Sequence, residues 1–265
     1  MPADPWNPEQ YERFRSERSH PFYDLLSLVR PAPTMRVIDL GCGTGDLTAE
    51  LHKRLAAKRT QGIDSSEAML AKAAALPASR GLTFERADIA TLASAWSREP
   101  KDRFDLVFSN AALHWLPSHE QLLSQITCAV APGGQLAVQV PANDDHPTHT
   151  IAATLASEPE YRDALAGQVR TSRVLAPERY AELLHSLGYA DQHVRLVVYA
   201  HRLAGREDVF EWVRGTLLTD YEKRLSPPLF HQFVTRYKKL LLKVLRDERP
   251  YFFPFKRILF WGARP

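Results

Sequence analysis

The sequence predicts an α/β protein: a doubly wound, mostly parallel seven-stranded sheet with a helical cap over the substrate site. Three observations carry that expectation. Short apolar runs alternate with helical stretches from Arg36 to Phe108, the pattern of βαβ units and a parallel sheet. Glycines at 41, 43 and 45 follow the first of those runs, at the place where an open α/β sheet binds its ligand. After Pro141 the helical stretches become longer than a simple crossover requires, so a cap is expected from insertions around the sixth strand.

The stretch from Pro8 to Val29 is expected to form an N-terminal helix. Arg36-Val37-Ile38-Asp39-Leu40 reads as the first strand, and Gly45 to Ala57 as a helix, since Leu47, Leu51 and Leu55 recur every four residues. Thr60-Gln61-Gly62-Ile63-Asp64 ends a second strand, and Ser65-Ser66-Glu67 opens a helix through Ala75 with a serine N-cap. Leu82 to Glu85 and Phe104 to Phe108 read as the third and fourth strands. Pro117-Ser118-His119-Glu120 precedes a helix that Pro132-Gly133-Gly134 stops, and Gln135 to Val140 reads as the fifth strand. Right-handed crossovers place these five strands in one sheet with helices on both faces. Residues 145–188 are helical in pattern, His193 to Ala200 reads as a strand, 206–246 is again helical, and Lys256 to Gly262 is the last strand. One domain over 1–265 is expected, with an N-terminal helix in 1–30, a cofactor-binding core in 31–141 and cap insertions at 142–190 and 203–250.

With 265 residues, 45% hydrophobic and 25% charged, the chain has the composition of a globular domain and not of a disordered one. The net charge of +3 is too small to argue for a nucleic-acid partner. Residues 200–257 carry 13 Lys/Arg against 7 Asp/Glu, which fits either a solvated helical surface or a face turned to an anionic substrate. Cys42 and Cys128 form no disulfide framework and no zinc spacing, so a reducing compartment is expected. No secretory pattern opens the sequence and no apolar run approaches a membrane span; a cytoplasmic protein with no membrane partner is the expectation. His146 and His149 are three residues apart with no third ligand, and no metal is expected. The sequence does not speak to oligomeric state.

Glycines 41, 43 and 45 let the backbone turn tightly and approach a ligand closely. The G-x-G-x-G spacing differs from the dinucleotide G-x-G-x-x-G, whose helix N-terminus receives a pyrophosphate, and this disfavours a nicotinamide-dependent oxidoreductase. Asp64 lies 23 residues after Gly41, at the second strand's end, where a carboxylate accepts hydrogen bonds from both ribose hydroxyls. A nucleoside ligand without a phosphate tail fits best.

Val37-Ile38-Asp39-Leu40-Gly41-Cys42-Gly43-Thr44-Gly45, Gly62-Ile63-Asp64-Ser65-Ser66 and Ala87-Asp88-Ile89 resemble the cofactor motifs of class I S-adenosylmethionine-dependent methyltransferases over residues 36–140. The resemblance implies a Rossmann-like sheet and S-adenosyl-L-methionine as cofactor. It implies that Asp39 and the loop of Gly41, Cys42, Gly43 and Gly45 hold the amino-acid part. Asp64 would then hold the ribose, Asp88 and Ile89 the adenine edge and Met69 its face, with Ser65 and Asn110 in the same binding set.

A closer resemblance covers nearly the whole chain. Trp6-Asn7-Pro8 with Tyr11 and Glu17-Arg18-Ser19, Ala68-Met69-Leu70-Ala71, Asn110-Ala111 with Trp115-Leu116-Pro117, Ala137-Val138-Gln139 with Pro141, Pro147-Thr148-His149, Trp212-Val213 and Phe253-Pro254 are similar to the trans-aconitate methyltransferase family. This implies methylation of a carboxylate oxygen on a small polycarboxylic acid. Where that family carries Arg-Pro shortly after its Trp-Val pair, this chain has Thr219-Asp220. Arg214, Arg173, Arg162 and Arg257 are the candidates to replace the missing bidentate grip on a carboxylate.

A carboxylate acceptor is already ionised near neutral pH, so positioning is expected to dominate and no catalytic triad is required. His114 and Tyr11 are the candidates for a direct catalytic part. Tyr11, Arg18, His114, Trp115, Trp212, Arg214 and Arg257 form the expected substrate-binding set, with a small acidic molecule as partner. Phe210, Trp212, Tyr221 and Phe230 leave open another hydroxyl or a carboxylate on a more apolar acceptor, and a non-catalytic ligand-binding protein is the remaining class. Ser109-Asn110-Ala111-Ala112 stands where a nucleic-acid adenine methyltransferase would carry a proline-rich, aromatic-ended motif.

Overall fold

The seven strands of the computed structural model, which describes residues 15–99, 103–167 and 172–265, are β1 (Arg36–Leu40), β2 (Arg59–Asp64), β3 (Leu82–Arg86), β4 (Phe104–Asn110), β5 (Val130–Pro141), β6 (Asp191–Leu203) and β7 (Tyr251–Ala263). They form one sheet in the order β3-β2-β1-β4-β5-β7-β6. Strands β1 to β5 pair in parallel, while β7 runs antiparallel to both β5 and β6. The apolar run of β1 is buried, with Val37, Ile38 and Leu40 at no more than 1% exposure, as a strand covered on both faces requires. The strand order reverses between β2 and β4 on either side of β1, which opens a crevice at the carboxyl end of β1.

Two helical layers cover the sheet. On one face, α1 (Arg15–Leu26) and α2 (Asp46–Arg54) set Phe22, Leu25 and Leu51 against Val37, Phe108, Leu259 and Trp261. Phe22 meets Phe108 edge-on, with centroids 5.6 Å apart. α3 (Glu67–Ala74) follows β2. On the other face, α4 (Ile89–Arg98) and α5 (His119–Thr127) pack Trp96, Leu123 and Ile126 on Ile38, Val107 and Phe260.

The helices after β5 do not form one body. α6 (Pro147–Ala156), α7 (Pro159–Ala164), α9 (Arg206–Arg214), α10 (Leu217–Arg224) and α11 (Pro227–Val244) enclose a separate core of Trp212, Tyr221, Phe233 and Tyr237 with Phe253 of β7. α8 (Pro177–Ser186) instead joins the sheet layer, because its Tyr180 stacks on Phe260 at 4.4 Å. The expected insertion at 142–190 therefore divides between cap and sheet. Of the expected N-terminal helix, α1 is described, and Pro8 to Phe14 lie outside the described residues. Among the described residues no helix is long and apolar enough to cross a membrane.

Candidate active site

The loop after β1 is built from left-handed backbone: Gly41 has φ +82°, Gly43 +56° and Gly45 +79°. A Cβ on Gly41 would stand 2.2 Å from the Cβ of Ala112, so only glycine lets this loop pass the turn that follows β4. That turn is itself constrained: Ala111 adopts φ +56°, and its amide donates to the Gln139 carbonyl at 2.9 Å. A non-glycine residue held in this region marks a position that its surroundings over-determine. The amides of Gly41 and Cys42 both donate to the Ile63 carbonyl at 2.9 Å, tying the loop to β2.

Asp64, the last residue of β2, organises the next wall. Its Oδ2 accepts from the Gly43 amide and its Oδ1 from the Ser66 amide, each at 2.9 Å. Ser66 in turn caps α3, its hydroxyl accepting from the Met69 amide at 3.1 Å, which sets Met69 beside the same space. Asp88 caps α4 by accepting from the Thr91 amide at 2.8 Å.

These residues wall a cavity of about 370 Å³. Gly41, Gly43, Asp64, Ser65, Met69, Asp88, Ile89 and Asn110 line it from the strand ends, and Trp115, Leu116, Arg173, Asp220 and Lys223 from the loop after β4 and the cap. Three residues of the expected cofactor set stand behind this wall. Asp39 is buried and accepts from the Thr48 hydroxyl at 2.6 Å. Burial raises its pKa to about 7; the Thr48 bond opposes the shift and the Asp64 charge adds to it. Burial also pushes the Cys42 thiol up, with Asp39 and Asp64 adding to the effect, so it stays a protonated thiol and not a nucleophile. The position of Gly45 lies against Phe84 and Ala73.

The cavity suits a nucleoside amino acid on structural grounds. Asn110 Oδ1 is buried without a hydrogen-bond partner among the described residues, and a buried acceptor of this kind calls for a donor. A Cβ at Gly43 would meet nothing within 4 Å, so the loop backbone lies open to a ligand. Asp64 presents a carboxylate whose orientation two amides hold.

The expected acceptor residues scatter. Trp115 lines the cavity, and His114 packs beside it with ring centroids 4.6 Å apart. Arg173 lines the cavity and donates to the Trp115 carbonyl. Arg162 lies on α7 in an exposed pair with Asp163. Trp212 is buried in the cap core against Phe253 and Phe255, at 5.9 and 5.3 Å, because its indole serves the helical packing and not the cavity. Phe210 and Tyr221 belong to that same core. Arg214 borders a second cavity of about 290 Å³ in the cap, with Glu222, Phe230 and His231. Arg257 is buried in β7, donates to Gln139 Oε1 at 3.3 Å and lies 4.8 Å over the Phe255 ring. Tyr11 and the side chain of Arg18 lie outside the described residues. His146 caps α6 by accepting from the Thr148 amide at 3.2 Å. Lys223 also lines the cavity, outside the expected set. Its spacing of three from Asp220 on an amphipathic stretch was the available signal.

A family model described as a methyltransferase domain matches residues 31–189. Over 268 residues the chain is 42% identical to the trans-aconitate 2-methyltransferase of Deinococcus radiodurans, covering 98% of each chain. It is 39% identical to that of Streptomyces avermitilis, covering 97% of each. Among solved structures, the YcgJ protein from Bacillus subtilis matches with a TM-score of 0.59 at 14% identity, over 93% of this chain and 98% of that one; this likeness concerns the fold. The family model and the near full-length identity agree with the glycine loop and the sheet order, and the chain belongs to the trans-aconitate 2-methyltransferase family of S-adenosylmethionine-dependent methyltransferases.

Proposed function

We propose that this enzyme methylates a carboxylate oxygen of a small organic acid, and that trans-aconitate, the acid named for its relatives, is the first to test. The observation that carries this reading is a single cavity bounded both by the Asp64 carboxylate and by the cations Arg173 and Lys223. The first belongs to a nucleoside cradle, and the cations suit an acid.

In this reading Asp64 accepts from the ribose hydroxyls, while Asp88 and Ile89 meet the adenine edge and Met69 its face. Gly41 and Gly43 bring backbone close to the amino-acid portion, and the Asn110 oxygen accepts a donor there. Asp39, Cys42 and Gly45 keep the loop in shape from behind. S-adenosylmethionine, when bound, would supply an electrophilic methyl group to an oxygen nucleophile, with S-adenosylhomocysteine as the leaving group. Arg173 and Lys223 hold the acid by its negative charge, and Trp115 and Leu116 keep water from the reacting oxygen. The nucleophile is already ionised, so no side chain has to remove a proton. Alignment alone supplies about 7–11 kcal/mol in well-oriented reactions.

The test is calorimetric binding of S-adenosylmethionine and S-adenosylhomocysteine, followed by mass detection of the monomethyl ester of trans-aconitate. Binding of both with ester formation is the expected result. Binding without ester overturns this acceptor and leaves the family assignment standing.

A further inference from the structure

The acceptor side of the cavity is not uniformly positive. Arg173 and Lys223 each bring a cation to it, but Asp220 lines the same wall. Asp220 lies one helical turn before Lys223 on α10, so both side chains share a face. Its carboxylate does not swing freely. Oδ2 accepts from Arg224 at 3.2 Å, and Arg224 is anchored through a second nitrogen to the Leu165 carbonyl, also at 3.2 Å. The two side chains are about equally shielded, at 24% and 27% exposure. Arg173 is held by the Trp115 carbonyl, and Lys223 has no ion-pair partner among the described residues. An anion is thus fixed in the wall of a cavity that is to receive an anion.

From this arrangement we propose that Asp220 is a specificity-determining residue that limits the charge of the acceptor. Two cations match two ionised carboxylates and a third meets Asp220, so trans-aconitate is accepted but bound less tightly than an acid of the same chain with two carboxylates. The inference rests on the acid-acceptor reading above. Like charges set against each other in a partly shielded site act against binding, and the Arg224 contact with Asp220 reduces this penalty.

The experiment compares trans-aconitate with glutaconate, which keeps the propene chain and lacks the central carboxylate, at a pH where every carboxylate is ionised. Each acid is titrated calorimetrically into the S-adenosylhomocysteine-loaded protein, and kcat/KM is measured with S-adenosylmethionine. Asp220→Asn keeps an oxygen for Arg224 and is expected to lower the aconitate-to-glutaconate ratio of Kd and of KM about tenfold at low salt, with kcat unchanged, and by less at high salt. Asp220→Ser, which also removes the charge, is expected to shift the ratio the same way, and it decides the matter if Asp220→Asn does not fold. An unchanged ratio in a folded Asp220→Asn that still binds both acids overturns this inference alone. Failure of the wild type to bind either acid overturns the acid-acceptor reading, and this inference with it.

Discussion

Asp64 and Asp39 are both carboxylates at strand ends of one sheet, yet their surroundings give them opposite tasks. Asp64 keeps two amide donors and a place on the cavity wall, which suits it to the binding role proposed for it. Its replacement by alanine is expected to weaken S-adenosylmethionine binding by about 1.5–3 kcal/mol, through loss of charge-assisted hydrogen bonds. Calorimetry reads this directly, and unchanged affinity would remove Asp64 from the site. Asp39 is buried, and its pKa rises from 3.8 to about 7. A raised carboxylate pKa means that the folded state favours the neutral form. The resulting stability is present below pH 4 and is lost as pH climbs through about 7. The melting temperature of the ligand-free wild type should therefore fall between pH 4 and 8 relative to Asp39→Asn, which has no charge to bury. Parallel melting curves for the two proteins would refute it.

At the scale of elements, α8 shows how one side chain assigns a helix to a layer. The Tyr180 hydroxyl lies 2.5 Å from His119 Nδ1 and accepts from the Leu175 amide at 3.2 Å, while its ring stacks on Phe260. Burial keeps this hydroxyl protonated and lowers the pKa of His119, so the pair is a neutral hydrogen bond. Tyr180→Phe is expected to cost about 1–2 kcal/mol in urea unfolding, since it leaves a buried ring nitrogen and an amide without a partner. S-adenosylmethionine affinity should not change, because α8 supplies none of the cavity wall. Strand limits show where local reading stops. Pro132-Gly133-Gly134 signals an end, yet β5 begins at Val130. Val130 pairs with Phe104 and Gln135 with Leu106, so the intervening residues bulge out, with Gly133 at φ +71°. A turn signal inside a bulged strand looks the same in sequence as a turn that ends one.

At the scale of the whole molecule, the cap holds a core distinct from the two that flank the sheet. Damage there should separate the two halves of the reaction. Trp212→Ala removes a ring packed on Phe253 and Phe255 and is expected to cost about 3–5 kcal/mol within the cap. The acceptor KM should rise while the S-adenosylmethionine Kd stays constant, and equal losses in both would mean that cap and sheet act as one unit. The parallel strands, the glycine loop and Asp64 were legible in the sequence from local periodicity and turn chemistry, whereas Met69 and Asp88 were singled out by the resemblance to a family. Every such residue sits at or just after a strand's carboxyl end, and the order β3-β2-β1-β4 gathers those ends without further instruction. The cations proposed for the acceptor wall were not legible in the same way. Arg162, Arg173, Arg214 and Arg257 are equivalent as letters, and only the folded cap separates an exposed ion pair, a cavity wall, a second cavity and a buried strand position. The sequence by itself determined the cofactor half, since a binding loop between strand and helix is a local structure. Only the tertiary structure decided the acceptor half, since the faces that α10 and the loop at Arg173 turn to the sheet are set by packing between residues distant in the chain.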